Sequence, residues 1–266
     1  PQCGALNERP SIDRPGCCDH CRQTLRIQGS ARGGRSSCPA CGKPVSYPYP
    51  DIGAPTHRLF AIEYHCPDCR PTHRGRYFKC PGKEDHARYA EAERRLKEDT
   101  TLPVPDDAIP PGDETDRLHR WGYRRYRDLF NARQLLGLSS IVRELQGRPN
   151  DPVRAALATN LSDLLRYQNM LCRYDAVALK SLDVFSVHGF PVGLIQCESN
   201  LLGVCGPDGR NVGSGGWRNI STKYGLAREY CARPFEIAES EGQKAVVVMS
   251  GERIGGYHSA GGVRNP

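Results

Sequence analysis

Three cysteine pairs, each with two residues between its partners, stand within the first 70 positions. They are Cys18 and Cys21 in Cys-Asp-His-Cys, Cys38 and Cys41 in Cys-Pro-Ala-Cys-Gly, and Cys66 and Cys69 in Cys-Pro-Asp-Cys. Two intervening residues let a tight turn aim both thiolates at one ion while backbone N–H groups hydrogen-bond the sulfurs. Gly42 supplies the positive φ that such a turn takes. The ion this donor set selects is zinc, and two pairs together fill a tetrahedral site with no open position, which makes the site a structural staple rather than a catalyst. Iron–sulfur chemistry is the alternative, but paired, even spacing fits tetrahedral zinc better than the usual cluster runs.

The pairs Cys38/Cys41 and Cys66/Cys69 are separated by 24 residues. The segments His57–His65 and Arg74–Cys80 around the second pair read as a hairpin with the pair at its turn, which gives a zinc ribbon. The opening Pro-Gln-Cys-Gly matches Pro39-Ala40-Cys41-Gly42, so Cys3 reads as one half of another pair whose missing member would lie immediately before Pro1. Cys3, Cys18 and Cys21 would then belong to a second ribbon. Loop lengths favour this sequential pairing, while a cross-braced arrangement of Cys3 with Cys38 and Cys41 stays open. Cys17, Cys80, His20, His57, His65 and His73 are spare candidates and read as ordinary residues.

Composition supports metal over disulfides. Nine of the thirteen cysteines fall within the first 80 residues, and the chain shows no secretory signal pattern. With 38% hydrophobic and 25% charged residues it reads as a globular protein, and no run of eighteen apolar residues occurs, so a soluble, cytoplasmic protein without membrane contact is expected. A formal charge of +7, carried by 37 lysines and arginines, favours a polyanionic partner.

Three parts are expected: a tandem zinc-ribbon region over 1–82, a helical spacer and proline-rich linker over 83–114, and a helical then mixed α/β segment over 115–266. The fold class is therefore α+β. Within the last part, helices are predicted from Thr115 to Phe130, from Asn131 through Gln146, and from Asn150 or Asp151 to Met170 with Pro152 in the first turn. Strands are predicted at 182–198 and 244–250, with a helix over 222–240 interrupted at Pro234. The stretch 211–219 reads as a flexible glycine-rich loop, and the tail from Gly251 as loop.

At 100° per residue, a helix over 115–130 would gather Arg117, Arg120, Arg124 and Arg127 on one stripe, opposite an apolar face of Leu118, Tyr126, Leu129 and Phe130. Such a stripe suits phosphate contact and makes these four arginines candidate DNA-binding residues; a solvated basic face is the plainer reading. The helix over 160–175 is expected to bury Leu161, Leu164, Leu165 and Tyr167 and to leave Arg166 and Arg173 free. No Walker A, His-Glu-x-x-His, Gly-x-Ser-x-Gly or dinucleotide-type glycine motif occurs. Asp163, Asp175, Asp183, Glu198 and His188 offer titratable groups without a motif, so no catalytic residue is assigned.

Several separated segments carry a family resemblance: Ile109–Ser139, Leu161–Lys180, Phe185–Gly203, Gly213–Asn219 and Lys223–Glu236. They resemble the central part of the large zinc-ribbon-containing adenine-specific DNA methylases, which often accompany phage-defence genes. The resemblance implies S-adenosylmethionine as methyl donor and a larger Rossmann-like methyltransferase, of which this chain would be the central fragment. Such enzymes carry a Phe-x-Gly-x-Gly cofactor loop upstream and an Asp-Pro-Pro-Tyr motif downstream; neither occurs in these 266 residues. The expected role is therefore DNA recognition and scaffold, because a methylase acts on an adenine flipped into the absent motif. The alternative is a protein-interaction module that docks other phage-defence components.

Overall fold

The computed structural model describes residues 7, 16–25, 34–38, 41–48, 51, 53–69, 71–240, 243–248, 257–259 and 262–264. Among them the architecture is mixed α/β: five helices and six small antiparallel strand pairs, each two-stranded. The first two pairs are β1 (Arg35–Ser37) with β2 (Pro44–Ser46), and β3 (Ile62–His65) with β4 (Arg76–Lys79). Helix α1 (Lys83–Glu98) follows, then α2 (Asp116–Arg120), α3 (Ala132–Gln146) and α4 (Pro152–Leu165). The short pairs β5–β6 (Tyr174–Asp175, Lys180–Ser181) and β7–β8 (Val204–Cys205, Asn211–Val212) lead to α5 (Trp217–Ala232). The pairs β9–β10 (Phe235–Ser240, Gln243–Val248) and β11–β12 (Tyr257–Ser259, Gly262–Arg264) follow it.

Helix starts follow their sequence signals. Asn131 and Gln134 form a reciprocal capping box at α3, each side chain accepting the other's backbone N–H at 3.0 Å. Asp151 accepts the N–H of Arg154 at 2.7 Å, with Pro152 at the first helical position of α4. Helix α1 is not an isolated spacer: it packs on α3, with Arg133 over the Tyr89 ring and Arg143 paired to Asp99 at 2.7 Å. The proline-rich stretch 100–114 forms no helix and turns at both ends, and it is packed rather than free: Leu102 and Ile109 are buried and Ile109 N–H donates to the carbonyl of Arg124.

The helix expected from Thr115 to Phe130 ends at Arg120. Gly122 adopts φ +83°; its N–H donates to His119 O and the N–H of Tyr123 to Leu118 O, the Schellman pattern of a helix C-terminus. Leu118 and Tyr123 supply the accompanying apolar contact, both within one core cluster. The chain then turns through a 3-10 segment, Tyr126–Leu129, capped by Asp128 accepting from Arg124 and Arg125 N–H at 2.8 Å. Tyr126, assigned to the apolar face, is 40% exposed, whereas Tyr123 is 1% exposed.

Other differences have local causes. Helix α4 stops at Leu165, where Arg166 and Tyr167 close it through 3-10-type bonds, rather than reaching Met170. No strand forms over 182–198: Asp183 accepts the N–H of Phe185 and starts a 3-10 turn, and Gly189 at φ +71° and Pro191 prevent a ladder. Helix α5 begins at Trp217 and, as expected, ends before Pro234, but the chain beyond the proline is strand β9 rather than more helix; β10 occupies the predicted 244–250 strand. A strand pair, β11–β12, lies in the tail read as loop.

Two apolar clusters make the core. One joins Ile109, Leu118, Tyr123, Leu129, Leu171 and Val184; the other joins Leu138, Leu164 and Ile220 from α3, α4 and α5; Phe130 packs against both. A Cβ on Gly122 would clash with the backbone oxygen of Gly53. Gly122→Ala is therefore expected to destabilise the fold by at least about 2 kcal/mol, from a left-handed backbone and a backbone clash together. Thermal unfolding measures it, and an unchanged midpoint would refute the packing of residue 53 against this turn.

Candidate metal-binding knuckles and their dock

The first two cysteine pairs share one hydrogen-bond frame. Cys18 N–H donates to Gln23 O at 2.7 Å and Arg22 N–H returns to Cys18 O at 2.9 Å; Cys38 N–H donates to Lys43 O at 2.9 Å and Gly42 N–H returns to Cys38 O at 2.8 Å. The residue after the second cysteine is left-handed in both, Gly42 at φ +69° and Arg22 at φ +61°. A non-glycine residue costs about 1–2 kcal/mol in that conformation, so the turn at Arg22 is held by its surroundings. Asn7 contributes there, donating to Cys18 Sγ at 3.6 Å and accepting the N–H of Asp19 at 2.9 Å.

Cys38 and Cys41 lie in the turn between β1 and β2, and Cys66 and Cys69 lie in the connection between β3 and β4. In the latter, Cys69 N–H donates to Cys66 Sγ at 3.3 Å. Hydrogen bonding from Cys69 draws the Cys66 thiol below its usual pKa, which favours the thiolate that binds metal. Each pair thus lies in a tight, hydrogen-bonded turn. Among the described residues no three His, Cys, Asp or Glu side chains converge on one point, and Cys3 lies outside the described residues.

The β3–β4 hairpin is fastened to the helical body by a residue the sequence did not single out. Register pairs His65 with Arg76 and Glu63 with Phe78, so these four side chains share one face. Arg76 forms an ion pair with Glu63 at 2.7 Å, side chains 12% and 22% exposed, and donates to the carbonyl of Leu179 beyond the strand pair. Phe78 packs edge-on against Tyr174 with ring centroids 5.5 Å apart. Burial lifts Glu63 above the usual carboxylate range against the pull of Arg76; Tyr174 is also raised by burial, with Glu63 adding to it. On the opposite face Tyr64 stacks on Tyr77 and Lys79 lies over Tyr64.

The arginines expected on one stripe separate. Arg117 donates to Val192 O at 3.2 Å; Arg127 donates to Pro105 O at 3.0 Å and pairs with Asp106. Arg124 donates to His119 O at 3.0 Å, and Arg124 and Arg120 border one exposed hollow together with Asp113 and Asp116. The loss of the stripe follows from the Gly122 turn, because helical angles apply only as far as Arg120.

Carboxylates assigned no partner from sequence do converge in one case. Arg166, expected to be free, binds Asp163 at 2.9 Å and Asp183 at 2.7 Å, and Lys223 binds the other oxygen of Asp163 at 2.9 Å. Glu198 accepts from Asn131 at 2.6 Å and Arg133 at 2.7 Å, while Asp175 accepts the N–H groups of Val177 and Ala178. Each carboxylate is bound by cations or amides, an arrangement that braces loops. The glycine-rich stretch 211–219 leads into α5 and is partly packed: Gly215 and Gly216 are buried, and the N–H groups of Gly216, Trp217 and Arg218 donate to Asn219, Leu201 and Leu202 respectively. Cys172 is fully buried, its thiol pushed up to about 12 by burial.

Compared with protein-family models, with characterised proteins and with solved structures, the chain matches none. Among the described residues no helix is long and apolar enough to cross a membrane.

Two outcomes follow from this geometry. Arg76→Ala leaves Glu63 poorly solvated without its cation and is expected to cost about 2–4 kcal/mol in chemical denaturation; a loss within 0.5 kcal/mol, roughly that of an ordinary surface substitution, would show the hairpin to be undocked. Although burial pushes Asp163 upward, Lys223 and Arg166 hold it below its ordinary pKa of 3.8. Its stabilisation is therefore complete above that value and is lost as pH falls through the lower native one. Acid titration of Asp163→Asn should show less loss of stability below pH 4 than the unaltered chain.

Proposed function

We propose that the chain is a zinc-stapled, DNA-contacting scaffold, the recognition segment of an adenine-specific DNA methyltransferase of the kind it resembles. The observation that carries the zinc assignment is the common backbone frame at Cys18 and Cys38, joined by the N–H to sulfur bond at Cys66. Cys38, Cys41, Cys66 and Cys69 would hold one ion and Cys3, Cys18 and Cys21 would serve a second, each ion giving form to hairpins that are otherwise marginal. Contact with phosphate is assigned to Arg120 and Arg124, both exposed, whereas Arg117 and Arg127 chiefly serve the fold. S-adenosylmethionine and methyl transfer belong to the enzyme that the resemblance implies. No catalytic step is assigned to these residues.

A second reading, an interaction module of a phage-defence complex, is favoured by the β9–β10 pair. Phe235, Ile237, Val246 and Val248 share one face and all are exposed. The two readings part in a salt titration of duplex DNA binding.

The double variant Arg120→Ala with Arg124→Ala is expected to weaken duplex binding and to reduce the salt slope by about two. Unchanged affinity and slope would reject the DNA assignment in favour of the interaction module. In the same preparations Cys38→Ser and Cys66→Ser should each remove the same zinc equivalent, measured by elemental analysis, while Cys18→Ser leaves it bound. Zinc loss shared between Cys18→Ser and Cys38→Ser would establish cross-bracing.

A further inference from the structure

Between α4, α5 and the 3-10 turn at Val184–Ser186 lies an open cleft of about 580 Å³, within the range of small-molecule sites. Its floor includes Val184 and Ile220, and two features of its wall point to a ligand. Asn160 is only 6% exposed, lines the cleft, and makes no hydrogen bond through its side chain among the described residues. Its amide nitrogen and oxygen still reach the cleft surface, so a donor and an acceptor stand side by side for whatever enters. Phe185 is 71% exposed on an anchored turn: its backbone N–H donates to Asp183, Asp183 is bound by Arg166, and that guanidinium sits 5.9 Å from the ring centroid. An exposed aromatic ring on an anchored turn offers a face on which a base can stack.

Lys223, at the rim, is 60% exposed on its side chain. Asp163 and Asp183 balance Lys223 and Arg166, so the cleft has little net charge to attract a phosphate and its selectivity rests on ring and amide.

We propose that this cleft holds a single unstacked nucleobase, its ring laid on Phe185 and its hydrogen-bonding edge read by Asn160. A base edge offers a donor beside an acceptor, which a carboxamide matches in two hydrogen bonds. The proposal rests on the nucleic-acid reading above but uses none of its arginines.

The test measures binding of the whole chain to a fluorescein-labelled single strand, to the duplex of the same sequence, and to the four deoxynucleoside monophosphates. Phe185→Ala is expected to weaken single-strand binding by about tenfold, with Phe185→Tyr retaining it and the duplex unaffected. Asn160→Ala should act in the same direction, and because that residue is buried, the two Phe185 variants decide if it fails to fold. Saturable, Phe185-dependent binding of monophosphates would identify a free nucleotide as the ligand; dependence seen only with the strand would identify a splayed base. If Phe185→Ala binds single strand and monophosphates as the unaltered chain does, the proposal is overturned, whatever the duplex shows. A Phe185 effect that survives alongside an inert Arg120 and Arg124 pair would overturn the phosphate assignment alone.

Discussion

Cysteine pairs set in tight turns stand where the amino-terminal third would otherwise have a core. Among its described residues the only fully buried hydrophobic side chain is that of Cys18, and its sheets are two-stranded pairs of three or four residues. Such hairpins bury too little apolar surface to offset their own ordering. The turns that hold these cysteines are shaped by backbone hydrogen bonds, with Asn7 reaching the Cys18 sulfur and the Cys69 N–H that of Cys66, so on the zinc reading proposed above folding and metal binding would be coupled.

The second hairpin is joined to a region that does have a core. Arg76 spans the boundary, taking Glu63 on its own hairpin and the Leu179 carbonyl on the next layer, and Phe78 on Tyr174 adds an apolar contact. Behind it, two clusters joined by Phe130 fix α3, α4 and α5, and the Asp163, Arg166, Asp183 and Lys223 network ties α4 to α5 and to the turn bearing Phe185. Ion pairs at this depth add little net stability but set geometry, which fits a surface that positions a ligand.

The legible parts of the fold were those written in local chemistry. Asn131 with Gln134, and Asp151 before Pro152, announce helix starts because their side chains bond the adjacent amides, and Cys66 and Cys69 between two aromatic-rich strands announce a hairpin. The Gly122 turn was also legible in principle, since Leu118 and Tyr123 flank it at Schellman spacing; helical periodicity on either side concealed it. What could not be read was tertiary. Arg76, Asn160 and Phe185 owe their roles to what packs beside them, and nothing in a strand or helix pattern records that Asp183 will meet Arg166. The stretch 182–198 looked like a strand by composition and failed to become one because its hydrogen-bond partners lie elsewhere, as with Cys197 N–H on Cys172 O.

X-ray absorption at the zinc edge tests the metal-stapled scaffold most directly, because it reports the donor atoms without disturbing the fold. The account predicts a first shell of sulfur at about 2.3 Å, near four per ion for the site of Cys38, Cys41, Cys66 and Cys69. Purified protein that folds with no zinc, or whose zinc carries only nitrogen and oxygen neighbours, would contradict it.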